Sequence, residues 1–252
     1  MSDVVPLIEP DWPAPPNVRA ASTTRIGGVS LGRYASLNLG KNSGDDPAAV
    51  DENRRRVFEQ LRLPAQPSWI FQVHGARVVQ APFAQFDSDP KADASFTAHG
   101  GVVCLVQTAD CLPVLFCDEA GTTVAAAHAG WRGLSTGVLE ATVKVLPTAP
   151  ENLLAWLGPA IGPEAFEVGP EVRAAFLGAS DEAVAAFRPS DHDGKWMCDL
   201  YALARQRLQR AGVTRIHGGG WCTHADAARF YSYRRDGACG RMASLIWLEP
   251  RH

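Results

Sequence analysis

Between residues 100 and 130 the chain reads GGVVCLVQTADCLPVLFCDEAGTTVAAAHAG, three apolar runs in succession separated only by turn residues. Each run has the length of a strand, and the gaps TAD and DEAG hold no helix between them. Strands that follow one another in groups exclude a strict βαβα alternation, so the expected class is α+β with mixed β-sheets covered by helices. Helical periodicity lies outside this block. PAAVDENRRRVFEQLRL, with Asp46 as cap and Pro47 in the first turn, repeats Val50, Val57, Phe58 and Leu61 on one face. WRGLSTGVLEATVKVL, 170–188 and 198–212 are also read as helices, NLLAWL and ASLIWLEP as strands, and residues 1–17 as an irregular Pro-rich lead-in. With 252 residues and 46% hydrophobic content there is apolar material for one sizeable core, and a single domain over 1–252 is expected.

Composition narrows the partners. A formal net charge of -3 gives no footprint for nucleic acid or an anionic membrane. The opening MSDVVPLIEPDWPAPP lacks the basic and apolar regions of an export signal, and no run of about 18 apolar residues occurs. A cytoplasmic monomer acting on small molecules is the expectation. The six cysteines (104, 111, 117, 198, 222 and 239) are then reduced thiols or ligands rather than a disulfide framework.

Chemistry concentrates at three strand ends. QVHG, TADC and AHAG place His74, Cys111 and His128 where apolar runs meet turns. Two imidazoles and a thiolate that converge make a three-ligand metal site with an open fourth position, the catalytic form of a zinc site. The same residues also read as a small buried thiol beside two strand-end imidazoles, or as a Cys hydrolase in which Cys111 attacks and His128 is the base. GLSTG matches Gly-x-Ser-x-Gly, but Ser135 falls inside a helical pattern rather than directly after a strand, which argues against a nucleophile elbow. Cys222 and His224 in WCTH would share a strand face and offer a second metal site.

The ordered set TTRIGGVS, SLNLG, GDDPAAVDENRRRV, QVHG, TADCLPVLF, AHAGWRGL, GPAIGPEAFEVGPEV, CDL and FYSYRRDGACGRMAS resembles the YfiH-like family from about residue 20 to about 248. Its members were labelled multicopper polyphenol oxidoreductases, laccase-like, and later described as purine nucleoside phosphorylases with adenosine deaminase activity. The resemblance implies a layered α/β/β/α sandwich and a Zn2+ held by His74, Cys111 and His128, with copper as a possible substitute. It further implies phosphorolysis of adenosine, inosine and S-methyl-5'-thioadenosine, and hydrolytic deamination of adenosine, with purine nucleoside and phosphate as partners. Asp110 and Glu167 are the candidate proton-transfer carboxylates. Arg132, at a helix start, is the candidate for stabilising phosphate, and Arg25, Tyr233 and Arg241 are candidates for the substrate pocket. Members often carry cysteines where this chain has Glu164-Ala165, and His99 lies outside the shared pattern. A laccase cluster requires many imidazoles in His-x-His pairs, whereas this chain has seven His and no such pair, which leaves at most a single-copper polyphenol oxidase. Editing of a peptidoglycan precursor by a metal- or Cys-dependent hydrolase, also associated with this family, is the other alternative.

Overall fold

A computed structural model describes residues 4–83 and 89–250. A six-stranded mixed sheet runs β12-β8-β6-β7-β4-β3, made of Arg215–Gly218 (β12), Leu153–Leu157 (β8), Leu112–Asp118 (β6), Val124–Ala129 (β7), Ala94–Thr97 (β4) and Val78–Gln80 (β3). A four-stranded antiparallel sheet runs β1-β2-β13-β5, made of Leu7–Ile8 (β1), Val18–Thr23 (β2), Met242–Leu248 (β13) and Val103–Thr108 (β5). A small third sheet joins Phe187–Pro189 (β10), Trp196–Cys198 (β11) and Glu167–Val168 (β9).

The strand alternation explains how these layers stack. Along β6, Leu115 and Cys117 point to one face and pack with Cys104, Val106, Ile246 and Leu248 of the four-stranded sheet. Val114 and Phe116 point the other way, onto Leu134, Val138 and Leu139 of the helical layer. That layer is built from α2 (Trp131–Thr136), α3 (Val138–Val145), α4 (Pro170–Leu177) and α5 (Leu200–Arg210). On the opposite side, Val103, Leu105 and Leu245 pack with Val57 and Phe58 of α1 (Pro47–Leu61). The order is therefore helix, sheet, sheet, helices, the α+β sandwich expected from the sequence. Each fully buried Leu or Val adds about 1.5–3 kcal/mol relative to exposure. The N-cap of α1 is as expected: the Asp46 carboxylate accepts from the Ala48 N–H at 3.0 Å.

Several local expectations are corrected. The segment 131–146 is two helices, because Gly137 adopts φ 97 and ends α2 before α3 begins. The helix expected over 170–188 stops at Gly178. Ser180 then caps a 3₁₀ turn, Asp181–Ala186, and the chain becomes β10. The lead-in contains β1, which pairs Leu7 with Thr23, while its residues 1–3 lie outside the described part. YSYRRDG contains a short helix, α6 (Tyr233–Asp236), capped by Ser232, whose hydroxyl accepts from the Arg235 N–H. The least expected feature is the TAD turn, which carries the chain from β5 in one sheet to β6 in the other. Among the described residues no helix is long and apolar enough to cross a membrane.

Candidate metal centre

The register of the six-stranded sheet assembles the site. Pro113 of β6 lies opposite His128 of β7, and Leu112 opposite Ala129, so the next pair outward brings Cys111 beside Gly130. His128 has the same strand parity as Val124 and Ala126, which face the gap between the sheets. His74 comes from a separate loop. Its φ of 60 reverses the chain and turns its ring edge-on to His128, with ring centres 4.8 Å apart. Nε2 of His74 lies 4.0 Å from Cys111 Sγ, and one ligand atom from each of the three residues falls within 4.8 Å of the other two. His128 is buried, Cys111 half-buried and His74 exposed, so the group opens toward solvent on the His74 side.

The donor set fits a metal ion. Two imidazoles and a thiol converge, with no fourth ligand among the described residues, and the wall beside them is bare backbone: a Cβ on Gly130 would lie 2.8 Å from Cys111 Sγ and 3.2 Å from His74 Cδ2. Behind the group, the buried Asp93 carboxylate accepts from His128 Nδ1–H at 2.9 Å and from the backbone N–H groups of His74 and Gly75 at 2.9 and 2.7 Å. Burial works against the ionised form of Asp93, but these donors, led by His128, hold its carboxyl below the usual range. Asp93 was not found by sequence reasoning. It sits opposite His128 in the ladder between β4 and β7, where His128 N–H donates to its carbonyl, yet the two are 35 residues apart in the chain.

Without a metal, Cys111 and His128 form a coupled pair. Burial raises the Cys111 thiol, but the neighbouring His128 and His74 outweigh this and bring it down to about 6. Burial likewise opposes the charge on His128, and the thiolate and Asp93 raise it to about 9. Both shifts favour the thiolate–imidazolium pair over the neutral one. Burial pushes Cys104, Cys117 and Cys198 up to about 12. Iodoacetamide should then label Cys111 of the metal-free protein in preference to these three, with a rate that falls only below about pH 6, and added zinc should suppress the labelling. Peptide mass spectrometry across pH 5–9 checks this; labelling that rises only near the ordinary thiol range would contradict it.

The remaining sequence candidates are distributed around this group. Asp110, φ 86, is buried beside Cys111, and its carboxylate accepts from Thr223 Oγ1 at 2.6 Å, Ser232 Oγ at 3.0 Å and Arg234 N–H at 2.7 Å. Arg234 also donates to the Glu167 carbonyl, which ties Glu167 and the exposed Tyr233 to the same corner. The Glu167 carboxylate accepts from Ser190, His192 and Lys195, and these contacts hold it at about 2. Arg25 donates to the Ala35 and Ala227 carbonyls and lies 4.7 Å from the Tyr231 ring centre. Arg241 donates to the carbonyls of Cys239 and Gly240 and, through its backbone, to Asn38. Arg132 is exposed, 4.5 Å from the Trp131 ring centre. Ser135 is in α2, its hydroxyl donating to the Arg132 carbonyl. Cys222 and His224 do not share a strand: the segment turns, and Cys222 Sγ accepts from the N–H groups of Gly162 and Ala225. Among the described residues the His74–Cys111–His128 set is the one group of three or more such ligands.

A family model described as multi-copper polyphenol oxidoreductase laccase matches residues 19–249. The chain is 59% identical over 246 residues to a purine nucleoside phosphorylase of Pseudomonas aeruginosa, covering 96% of this chain and 98% of that one. It is 57% identical over 242 residues to the purine nucleoside phosphorylase YfiH of Escherichia coli, covering 96% and 98%. The protein belongs to the YfiH-like family. Solved structures agree with the fold. A Neisseria meningitidis protein superposes with TM-score 0.92 at 53% identity, covering 96% of this chain and 99% of that one. YlmD of Geobacillus stearothermophilus superposes with TM-score 0.89 at 32% identity, covering 99% and 98%. The multi-copper description asks for more ligands than this YfiH-like chain brings together, since its described residues supply one group.

Proposed function

We propose that the chain is a zinc-dependent purine nucleoside enzyme that phosphorolyses adenosine, inosine and S-methyl-5'-thioadenosine and hydrolytically deaminates adenosine. The observation that carries this reading is the three-ligand group His74, Cys111 and His128 with its solvent-facing side, in a chain whose near full-length relatives are named purine nucleoside phosphorylases. When bound, zinc supplies a Lewis acid and a water made acidic enough to act near neutral pH. His128 and Cys111 hold it from the strand ends, and His74 closes the set from the loop.

The carboxylates divide their roles by their surroundings. Asp110 has three donors on its oxygens and serves to hold the 222–236 segment against the strand end that carries Cys111. Glu167 stays ionised at neutral pH, which excludes it as a proton donor, and Ser190, His192 and Lys195 occupy both its oxygens. Tyr233 and Arg234 line the same corner, and Arg132, exposed just beyond Gly130, meets the phosphate. Arg25, its guanidinium bridging the Ala35 and Ala227 carbonyls, shapes the pocket by bracing loop 25–40 against the 227–241 segment; the Arg241 backbone N–H adds a bond to Asn38, while its guanidinium stays on the Cys239 and Gly240 carbonyls of its own segment.

The Asp93–His128–Cys111 sequence of contacts favours a second reading, a Cys-dependent hydrolase acting on a peptidoglycan precursor, because a carboxylate that orients a histidine beside a thiol is also the arrangement of a nucleophilic triad. Incubation with adenosine, with and without phosphate, separates the readings. Adenine formed only with phosphate is expected, together with inosine in either case. No turnover of adenosine by zinc-loaded protein, with an acyl adduct on Cys111, would overturn the nucleoside reading in favour of the hydrolase.

A further inference from the structure

We propose that Asp93 is the positioning residue of the metal centre, one buried carboxylate that fixes both imidazoles at once; this rests on the metal reading above. Its action on His128 is direct. Nδ1–H of His128 donates to Oδ1 at 2.9 Å, with both side chains buried, so the ring is locked as the tautomer that presents Nε2 toward Cys111. Its action on His74 runs through the backbone. The N–H groups of Val73, His74 and Gly75 all point at the same carboxylate, at 3.2, 2.9 and 2.7 Å. Three successive N–H groups converging on an anion form a nest, and the nest holds His74 at φ 60, a conformation that a residue with a Cβ rarely adopts. Without that reversal the His74 ring would not turn toward Cys111. The two imidazoles come from segments 54 positions apart in the chain, and Asp93 is in contact with both.

This double action separates Asp93 from an ordinary second partner of one ligand. The test is titration of the whole protein with Co2+, followed by its thiolate charge-transfer absorption, and with Zn2+ against a chelator. Asp93→Ala is expected to weaken both ions by about 10–100-fold and to alter the Co2+ spectrum while the circular dichroism of the fold is kept. In a His128→Ala background Asp93→Ala should still weaken binding, now through His74, and in a His74→Ala background it should do so through His128. Loss of the effect in either background would overturn the double role. Where Asp93→Ala does not fold, Asp93→Asn serves: it keeps the shape and one acceptor oxygen but turns amide hydrogens toward backbone N–H groups, and about tenfold weaker binding is expected. Unaltered affinity and spectrum in Asp93→Asn, with only a lower melting temperature, would make Asp93 a fold residue and overturn the inference. Failure of the unsubstituted protein to bind either ion would instead overturn the metal reading on which it depends.

Discussion

Cys111→Ser is expected to reduce zinc affinity by more than about 100-fold and to take nucleoside turnover with it. A thiolate is held to zinc by charge and softness, and a serine hydroxyl, which stays protonated at neutral pH, provides neither. His74→Ala and His128→Ala should behave similarly, because each removes one of three ligands and leaves two, which lose the ion during purification but still bind it measurably when titrated at higher concentration. A nucleophilic Cys111 predicts another pattern: zinc content unaffected by Cys111→Ser, turnover abolished, and little consequence from His74→Ala. Elemental analysis and turnover for the three variants distinguish these outcomes. Copper at several ions per chain in the unsubstituted protein would contradict the single-group reading.

Gly130→Ala should be nearly as damaging to the centre without touching a ligand. The backbone there is ordinary, φ -60 and ψ 158, so alanine brings no conformational strain. Its methyl group would stand 2.8 Å from Cys111 Sγ, inside van der Waals contact, and 3.2 Å from His74 Cδ2. Both ligands have to move apart. Because the strand pairing of β6 with β7 stops at the preceding position, the rest of the sheet need not follow. We expect at least about tenfold weaker zinc binding and a comparable loss of turnover, with melting of the metal-free protein lowered by no more than about 1–2 kcal/mol. Undiminished zinc affinity in Gly130→Ala would mean that the ligands rearrange around the methyl group.

The convergence of His74, Cys111 and His128 was legible because each stands where an apolar run meets turn residues, a purely local signal. The α+β class was legible for the same reason, since successive apolar runs along 103–129 and helical spacing along 47–61 are properties of short windows, whereas the layered sandwich came from the family resemblance. What lay hidden depended on register. Asp93 reaches His128 only once β4 and β7 pair, and nothing around KADASF distinguishes it from a turn aspartate. Asp110 looked like a proton-transfer group because it neighbours Cys111, yet the structure surrounds it with donors from Thr223, Ser232 and Arg234, more than a hundred positions away. The change of sheet at TAD was equally invisible, because three successive apolar runs of similar composition carry no signal of which sheet each joins. The break in 170–188 failed for a different reason: Gly178 and Ser180 are stop and start signals that the continuous apolar pattern on either side concealed.

The position of β13 has a consequence for biosynthesis. In the four-stranded sheet β13 is the strand that joins β5 to β2, while the other edge of β5 carries an isolated bridge from Ser68 to Cys104 and hydrogen bonds with the Gln72 side chain. Ribosomes deliver Val103–Thr108 long before Met242–Leu248, so throughout the synthesis of more than a hundred intervening residues the β13 edge of β5 is unpaired and its buried-type side-chain set lacks that neighbour. During that interval the nascent polypeptide is at its most exposed to intermolecular strand addition, the condition under which chaperones are recruited. A stop codon shortly before residue 242 would make that transient state permanent, and such a product belongs in inclusion bodies rather than among partly active enzymes.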